Sequence, residues 1–220
     1  MDNGVLGRTN QSFPSTWLSL VAAGRDVADA KDLIDAALEA KTVIDISSGP
    51  ALWGGQMRGT NATLMTIAST GIAKAMDEQH AHDLVQAHLI EVLSSIGREN
   101  IDLYFLSIEE RLQEMQISGA LIALEEARQE GNVRFVGIAA KDIFATQNVM
   151  HFHDAFELLL LDESTDQSGA LKHLAKSRRV AIVTKTNDPE REAASGEAIL
   201  VRVKTPDEIR GILKSQVVTV

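Results

Sequence analysis

Residues Leu93–Ala140, LSSIGRENIDLYFLSIEERLQEMQISGALIALEEARQEGNVRFVGIAA, hold one complete β-α-β unit. Ile101–Ile108 is a nearly unbroken apolar run, as in a strand covered on both faces by other layers. Ser118–Gln129 then places Leu121, Ile122, Leu124 and Glu125 at helical spacing, and Gly131 supplies the residue that most readily turns left-handed after a helix. Val133–Ala139 follows as a second apolar run. Two strands joined through a helix pair in parallel, because the crossover returns the chain to the starting edge.

The same alternation extends outward in both directions, to as many as eight units. Upstream, Trp17–Ala22, Thr42–Ile46 and Thr63–Ala68 read as strands. The stretches Asp29–Ala40, with Leu33, Ala36, Ala37 and Ala40, and Glu78–Ile96, with Leu84, Val85, His88, Leu89, Val92 and Leu93, read as helices. Between Gly49 and Asn61 lies GPALWGGQMRGTN, glycine-rich where a full barrel carries its second helix, so that helix is expected to be reduced or lost. Downstream, Phe156–Leu161, Val180–Val183 and Ile199–Val203 are apolar runs. They are separated by a helix at Gly169–Arg178 and followed by one at Pro206–Lys214, with Thr205 suited to the cap and Pro206 to the first turn. The fold class is α/β, a minimal or truncated (β/α)8 TIM barrel, as one domain over residues 1–220.

Of the 220 residues, 45% are hydrophobic and 24% charged, an ordinary globular balance. There is no cysteine, which excludes disulfides, thiolate metal sites and a thiol nucleophile. The formal charge of -10 disfavours nucleic acid, whose phosphates attract basic surfaces. No apolar run reaches membrane-spanning length and the start, Met-Asp-Asn-Gly, lacks signal-peptide character, so the expectation is a cytoplasmic protein without a membrane partner.

Several segments resemble the aldo-keto reductases. The turn Ile96–Gly97, the strand Ile101-Asp102-Leu103-Tyr104, the helix end Glu130–Gly131 and the strand VRFVG resemble the family's middle; LGRT at Leu6–Thr9 and LIDAALEAKTVIDIS at Leu33–Ser47 resemble its opening hairpin, first helix and second strand; VKTPDEIRGIL at Val203–Leu213 is similar to its last strand and cofactor-side helix. The resemblance implies a (β/α)8 barrel with its site at the C-terminal strand ends. It also implies carbonyl reduction by NAD(P)H, with a tyrosine acid tuned by a lysine-aspartate pair and a histidine orienting the carbonyl.

Asp45 matches the aspartate, but the tyrosine position holds Pro50, the lysine position falls on Ser69 or Thr70 with Lys74 nearest, and the histidine position is Ser107. The only tyrosine is Tyr104, inside a strand. The Ser-Asn pair that holds the nicotinamide falls on Ala139 and Ala140, the stacking aromatic falls near Lys185, and Arg202, Lys204 and Thr205 remain in the phosphate region. These substitutions lead to the expectation of no cofactor, with NADPH kept only under an alternative reading.

The strand ends offer Asp45, Ser47, Ser69, Ser107, Glu109, Lys141, Asp162, Glu163, Lys185 and Arg202 to one rim. Asp45, Lys185, Ser107 and Glu109 are the candidates for acid-base chemistry, and a lysine in a low-dielectric mouth can serve as base or as Schiff-base nucleophile. Trp53, as an apolar wall over the mouth, with Ser69, Lys141, Asp162 and Arg202, are the candidate contacts to a small-molecule ligand. The bland readings are that the lysines are solvated and pair with Asp162 or Glu163, that Asp45 caps a turn, and that Trp53 plugs the gap left by a lost helix. His80 with His82, and His151 with His153, have i, i+2 spacing in helical or loop context; surface histidines explain them and no metal site is assigned.

Three functions fit these residues: a reductase fold repurposed for elimination, isomerisation or cyclisation at the rim; a non-catalytic pseudoenzyme serving as a binding or scaffold protein; and an atypical NAD(P)H-dependent reductase. A lost second helix would uncover apolar barrel surface, so self-association into a homo-oligomer is also expected.

Overall fold

The structure is a computed structural model and describes residues 3–21, 24, 27–164 and 168–217. A short antiparallel hairpin, β1 (Asn3–Val5) and β2 (Ser12–Pro14), opens the chain. The parallel strands β3 (Thr16–Leu20), β4 (Val43–Asp45), β5 (Thr63–Ala68), β6 (Ile101–Ile108), β7 (Val133–Ala140), β8 (Leu158–Asp162), β9 (Ala181–Thr186) and β10 (Glu197–Val203) follow in chain order and close into a barrel, β10 pairing with β3. The barrel expected from the sequence is therefore the fold observed. Ala22, where the sequence pattern ends the first of these strands, lies outside the described residues.

The helices are α1 (Val27–Glu39), α2 (Pro50–Met57), α3 (Glu78–Ile96), α4 (Glu114–Gln129), α5 (Ile143–Phe152), α6 (Gly169–Ser177) and α7 (Pro206–Val217). The second helix is reduced, as the glycine-rich segment led one to expect, but it is not lost: α2 is short, Pro50 starts it, and Trp53, Gly54 and Met57 on it are buried. The helix that is missing is the one after the seventh barrel strand, where residues 187–196 run from β9 to β10 without helical turns. α5 has no counterpart in the sequence pattern, since IFATQNVMHF carries too few charges to mark an exposed face. Trp53 and Met57 of α2 pack into the core, so α2 covers barrel wall that its loss would have uncovered for self-association.

Glycine decides how α2 docks. A Cβ added at Gly54 would sit 1.8 Å from the Ser95 carbonyl oxygen, so backbone approaches backbone where α2 crosses α3. This close approach explains how a glycine-rich segment remains helical.

Inside the barrel, Trp17, Val43, Met65, Leu103, Phe105, Leu158, Leu160, Val183 and Leu200 form one apolar cluster. Leu6 and Phe13 of the hairpin close it at the N-terminal end. Burial of each large side chain contributes about 1.5–3 kcal/mol. Gly137 makes this packing possible: it pairs with Phe105 in register, and a Cβ there would lie 2.4 Å from the Phe105 ring. The alternate residues of the same strands, such as Ile44, Leu64, Tyr104 and Leu106, form the outer layer against the helices. Among the described residues no helix is long and apolar enough to cross a membrane.

Candidate functional site

The strand period that packs the interior continues upward into a polar ring. Two residues beyond Trp17, Val43, Phe105, Leu160, Val183 and Leu200 stand Ser19, Asp45, Ser107, Asp162, Lys185 and Arg202, at the C-terminal ends of their strands. Five of these six were candidates from sequence. Ser19 was not, although it alternates with Trp17 in TWLSL.

Asp45 is 2% exposed and fully engaged. Ser19 Oγ donates to Asp45 Oδ2 at 2.6 Å from the adjacent strand. The Ser47 backbone N–H donates to Oδ1 at 2.9 Å, and Ser47 Oγ donates to the same oxygen. Ser47 Oγ in turn accepts from the Ile67 N–H at 2.6 Å, which ties the group to β5. The i to i+2 bond is the turn-capping role that an aspartate after a strand commonly takes, and it coexists with a place in the inward ring. Charge-assisted hydrogen bonds of this kind hold a buried carboxylate in one position.

Lys185 is half-buried and pairs in register with Asp162 on β8. Burial lowers its pKa; Asp45 opposes the shift, Lys141 and Arg202 add to it, and Asp162 opposes it more weakly. No ion pair within 4.0 Å links Lys185 or Lys141 to Asp162 or Glu163; Lys141 is exposed to solvent, whereas Lys185 is half-buried. Glu163 instead meets Arg191 and accepts from Thr186 Oγ1. For Asp162, burial pushes the carboxyl up, but hydrogen bonds from Ser164, with Lys141 and Lys185 nearby, outweigh it and leave the group below its ordinary value. Ser164 reaches Oδ1 at 3.1 Å through its N–H and 2.7 Å through its hydroxyl.

Ser107 is buried and its Oγ lies 3.5 Å from the exposed Glu109. Ser69 is exposed just beyond β5, and Lys141 and Arg202 are exposed at the ends of β7 and β10. Trp53 requires a correction: it is 0% exposed in the layer between barrel and helices, so it is neither a wall over the mouth nor a plug for a missing helix. The histidines serve other contacts. His82 Nε2 lies 2.8 Å from Glu126 and joins α3 to α4, and His153 lies 3.6 Å from Glu114.

These features define a closed (β/α)8 barrel with a charged ring at its C-terminal mouth. Its architecture is that of the aldo-keto reductases. It is similar to aldo-keto reductase AKR11C1 from Bacillus halodurans in its holo form, at 15% identity and a TM-score of 0.76, covering 98% of this chain and 90% of that one. An aldo/keto reductase from Brucella melitensis matches at 13% identity and 0.74, over 97% and 91%. An aldo-keto reductase from a Medee basin deep-sea metagenome matches at 15% and 0.73, over 97% and 88%. At such identities the likeness is one of fold. The sequence matches no family model, and no curated protein.

The expectation of a site without a cofactor is corrected by this company. The neighbours in fold are aldo-keto reductases, and one is a holo form, so absence of a cofactor is not a property to assign to this chain. The residues present do not, however, repeat the family's nicotinamide contacts. Ala139 and Ala140, on which the resemblance puts the nicotinamide-holding pair, are buried methyl groups without side-chain donors, and the stacking position that the resemblance puts near Lys185 has no aromatic side chain there. At the phosphate end, the first turn of α7 carries Asp207 and Glu208. There the Glu208 N–H donates to Thr205 Oγ1 at 3.2 Å, and Glu208 Oε2 accepts the N–H of Lys204, before the helix, at 2.6 Å, so Thr205 already caps the helix start. NAD(P)H in the family's mode does not fit these side chains.

Proposed function

We propose that the barrel mouth binds a small anionic carbonyl compound and that Asp45 and Lys185 move protons on it, in an elimination, isomerisation or cyclisation. The observation that carries this reading is a half-buried lysine in the inward ring, within electrostatic reach of a buried carboxylate held by three hydrogen bonds. Burial favours the neutral amine over the ammonium, which suits proton transfer. Lys141 and Arg202 supply positive charge for the ligand's anionic group, with Asp162, Ser69, Ser107 and Glu109 as polar contacts around it.

Carbonyl reduction with NAD(P)H is the second reading, favoured by the likeness of fold to reductases, one of them a holo form. Titration of the purified protein with NADPH and NADH, followed by calorimetry, separates the two: tight binding of either puts reduction first. A thermal-shift screen of 2-oxo acids and their phosphate-bearing counterparts tests the mouth itself. Saturable stabilisation that Asp45→Asn abolishes without unfolding the protein supports the first reading. Unchanged binding and turnover in Asp45→Asn would sink it.

A further inference from the structure

We propose that Lys185 is an amine nucleophile that forms an imine with a small aldehyde or ketone at the barrel mouth. The inference deepens the reading above and rests on it, because the carbonyl compound must first reach that mouth.

Position comes first. Lys185 follows Ala181 and Val183 on the inward face of β9, both of which belong to the apolar interior cluster, so its stem rises directly from the barrel core. The backbone holding it is a barrel strand paired on both sides, to β8 and to β10. A nucleophile on such a strand is held in position more firmly than one on a loop. Among the described residues no carboxylate lies within ion-pair distance of the amine, so the nitrogen is not committed to a salt bridge. Asp162, its register partner, keeps Oδ2 without a described hydrogen bond, since Ser164 takes only Oδ1. The surrounding cations, Lys141 and Arg202, do two things. They disfavour the ammonium form of Lys185, and they attract a carbonyl compound that carries a carboxylate or phosphate.

The step balances without a redox partner. The neutral amine adds to the carbonyl carbon, forming the C–N bond while the C=O π pair moves to oxygen. A proton leaves the nitrogen and, carried by Asp162, adds to that oxygen, giving a carbinolamine. A second proton reaches the hydroxyl through Asp162, and water departs as the nitrogen lone pair forms C=N; the iminium nitrogen then returns a proton to Asp162. Amine and carbonyl become imine and water, and the iminium form acidifies the neighbouring C–H, which is what an elimination or isomerisation requires.

The test uses pyruvate, with uncharged acetone as comparator, added to the intact protein with sodium borohydride and read by intact mass and peptide mapping. The expected result is a saturable, single reduced adduct on Lys185 with pyruvate, and little with acetone. Lys185→Arg is expected to melt like the parent and to show no adduct. The pH dependence of labelling is expected to have its midpoint below the ordinary lysine range. A parallel calorimetric titration with pyruvate and no borohydride reads binding alone. Binding without an adduct at Lys185, or an adduct spread over surface lysines, overturns the nucleophile and leaves the binding reading standing. Neither binding nor adduct overturns both.

Discussion

Tyr104 Oη lies 2.9 Å from His88 Nδ1, with the two rings edge to face at 5.6 Å. The chain's only tyrosine is thereby turned outward, into the layer between β6 and α3, and is 0% exposed. It is on the opposite face of its strand from Ser107, so it cannot serve the mouth. Burial also raises the phenol's pKa well beyond its ordinary value, which removes it from proton transfer. Tyr104→Phe is expected to leave ligand binding at the mouth unchanged and to cost about 1 kcal/mol, because it removes the partner of a half-buried ring nitrogen. Urea denaturation beside the thermal-shift screen reads both.

His88 adds a pH limb to stability. Burial lowers its pKa, with Glu91 opposing, so the unfolded chain binds the proton more readily than the folded one. The sign follows: this contribution is complete above the unfolded value of about 6.5 and is lost as pH falls below it. His82 acts in the opposite sense, since its hydrogen bonds to the Glu126 and Asp83 carboxylates raise it and its contribution is lost as pH rises. His88→Gln is expected to flatten the acid limb in urea titrations between pH 5 and 7, a range of about two units around the unfolded value; an unchanged limb would refute the assignment.

Gly54→Ala tests the contact that keeps α2 in place. The new methyl would meet the Ser95 carbonyl oxygen, which is backbone and cannot swing aside. We expect a loss of about 1–3 kcal/mol or more, although alanine favours helix over glycine by about 1 kcal/mol. Denaturation midpoints for Gly54→Ala and for Gly55→Ala, where a Cβ meets nothing within 4 Å, should move in opposite directions.

Gln116 is a buried amide that bridges two segments. Its Nε2 donates to the carbonyls of Ala73 at 2.8 Å and Ala75 at 3.0 Å, while its Oε1 accepts the Gln113 N–H at 2.8 Å. Gln116→Ala is expected to destabilise the fold by about 1–3 kcal/mol, because it leaves three backbone groups without partners. Faster hydrogen exchange confined to residues 71–76 and the start of α4 would accompany it.

The repeating β-α order, the boundaries of the strands at Thr63–Ala68 and Ile101–Ile108 and the helix at Glu78–Ile96 were legible because each depends on a local pattern of apolar residues and stops. So were the ionisable groups at the strand ends. α5 was not, for its exposed side mixes Phe144 and Phe152 with Asn148 and His151 and carries no Asp, Glu, Lys or Arg, and the helix missing between β9 and β10 was hidden in a polar loop that any connection could have. GPALWGGQMRGTN read as a loop because its glycines lower helix propensity; packing against α3 overrode that preference. Which face of each strand looks inward was decided only by closure of the barrel. Strands buried on both sides show no polar-apolar alternation, so only the closed sheet could send Tyr104 out to His88 and bring Ser19, Asp45 and Lys185 into one ring.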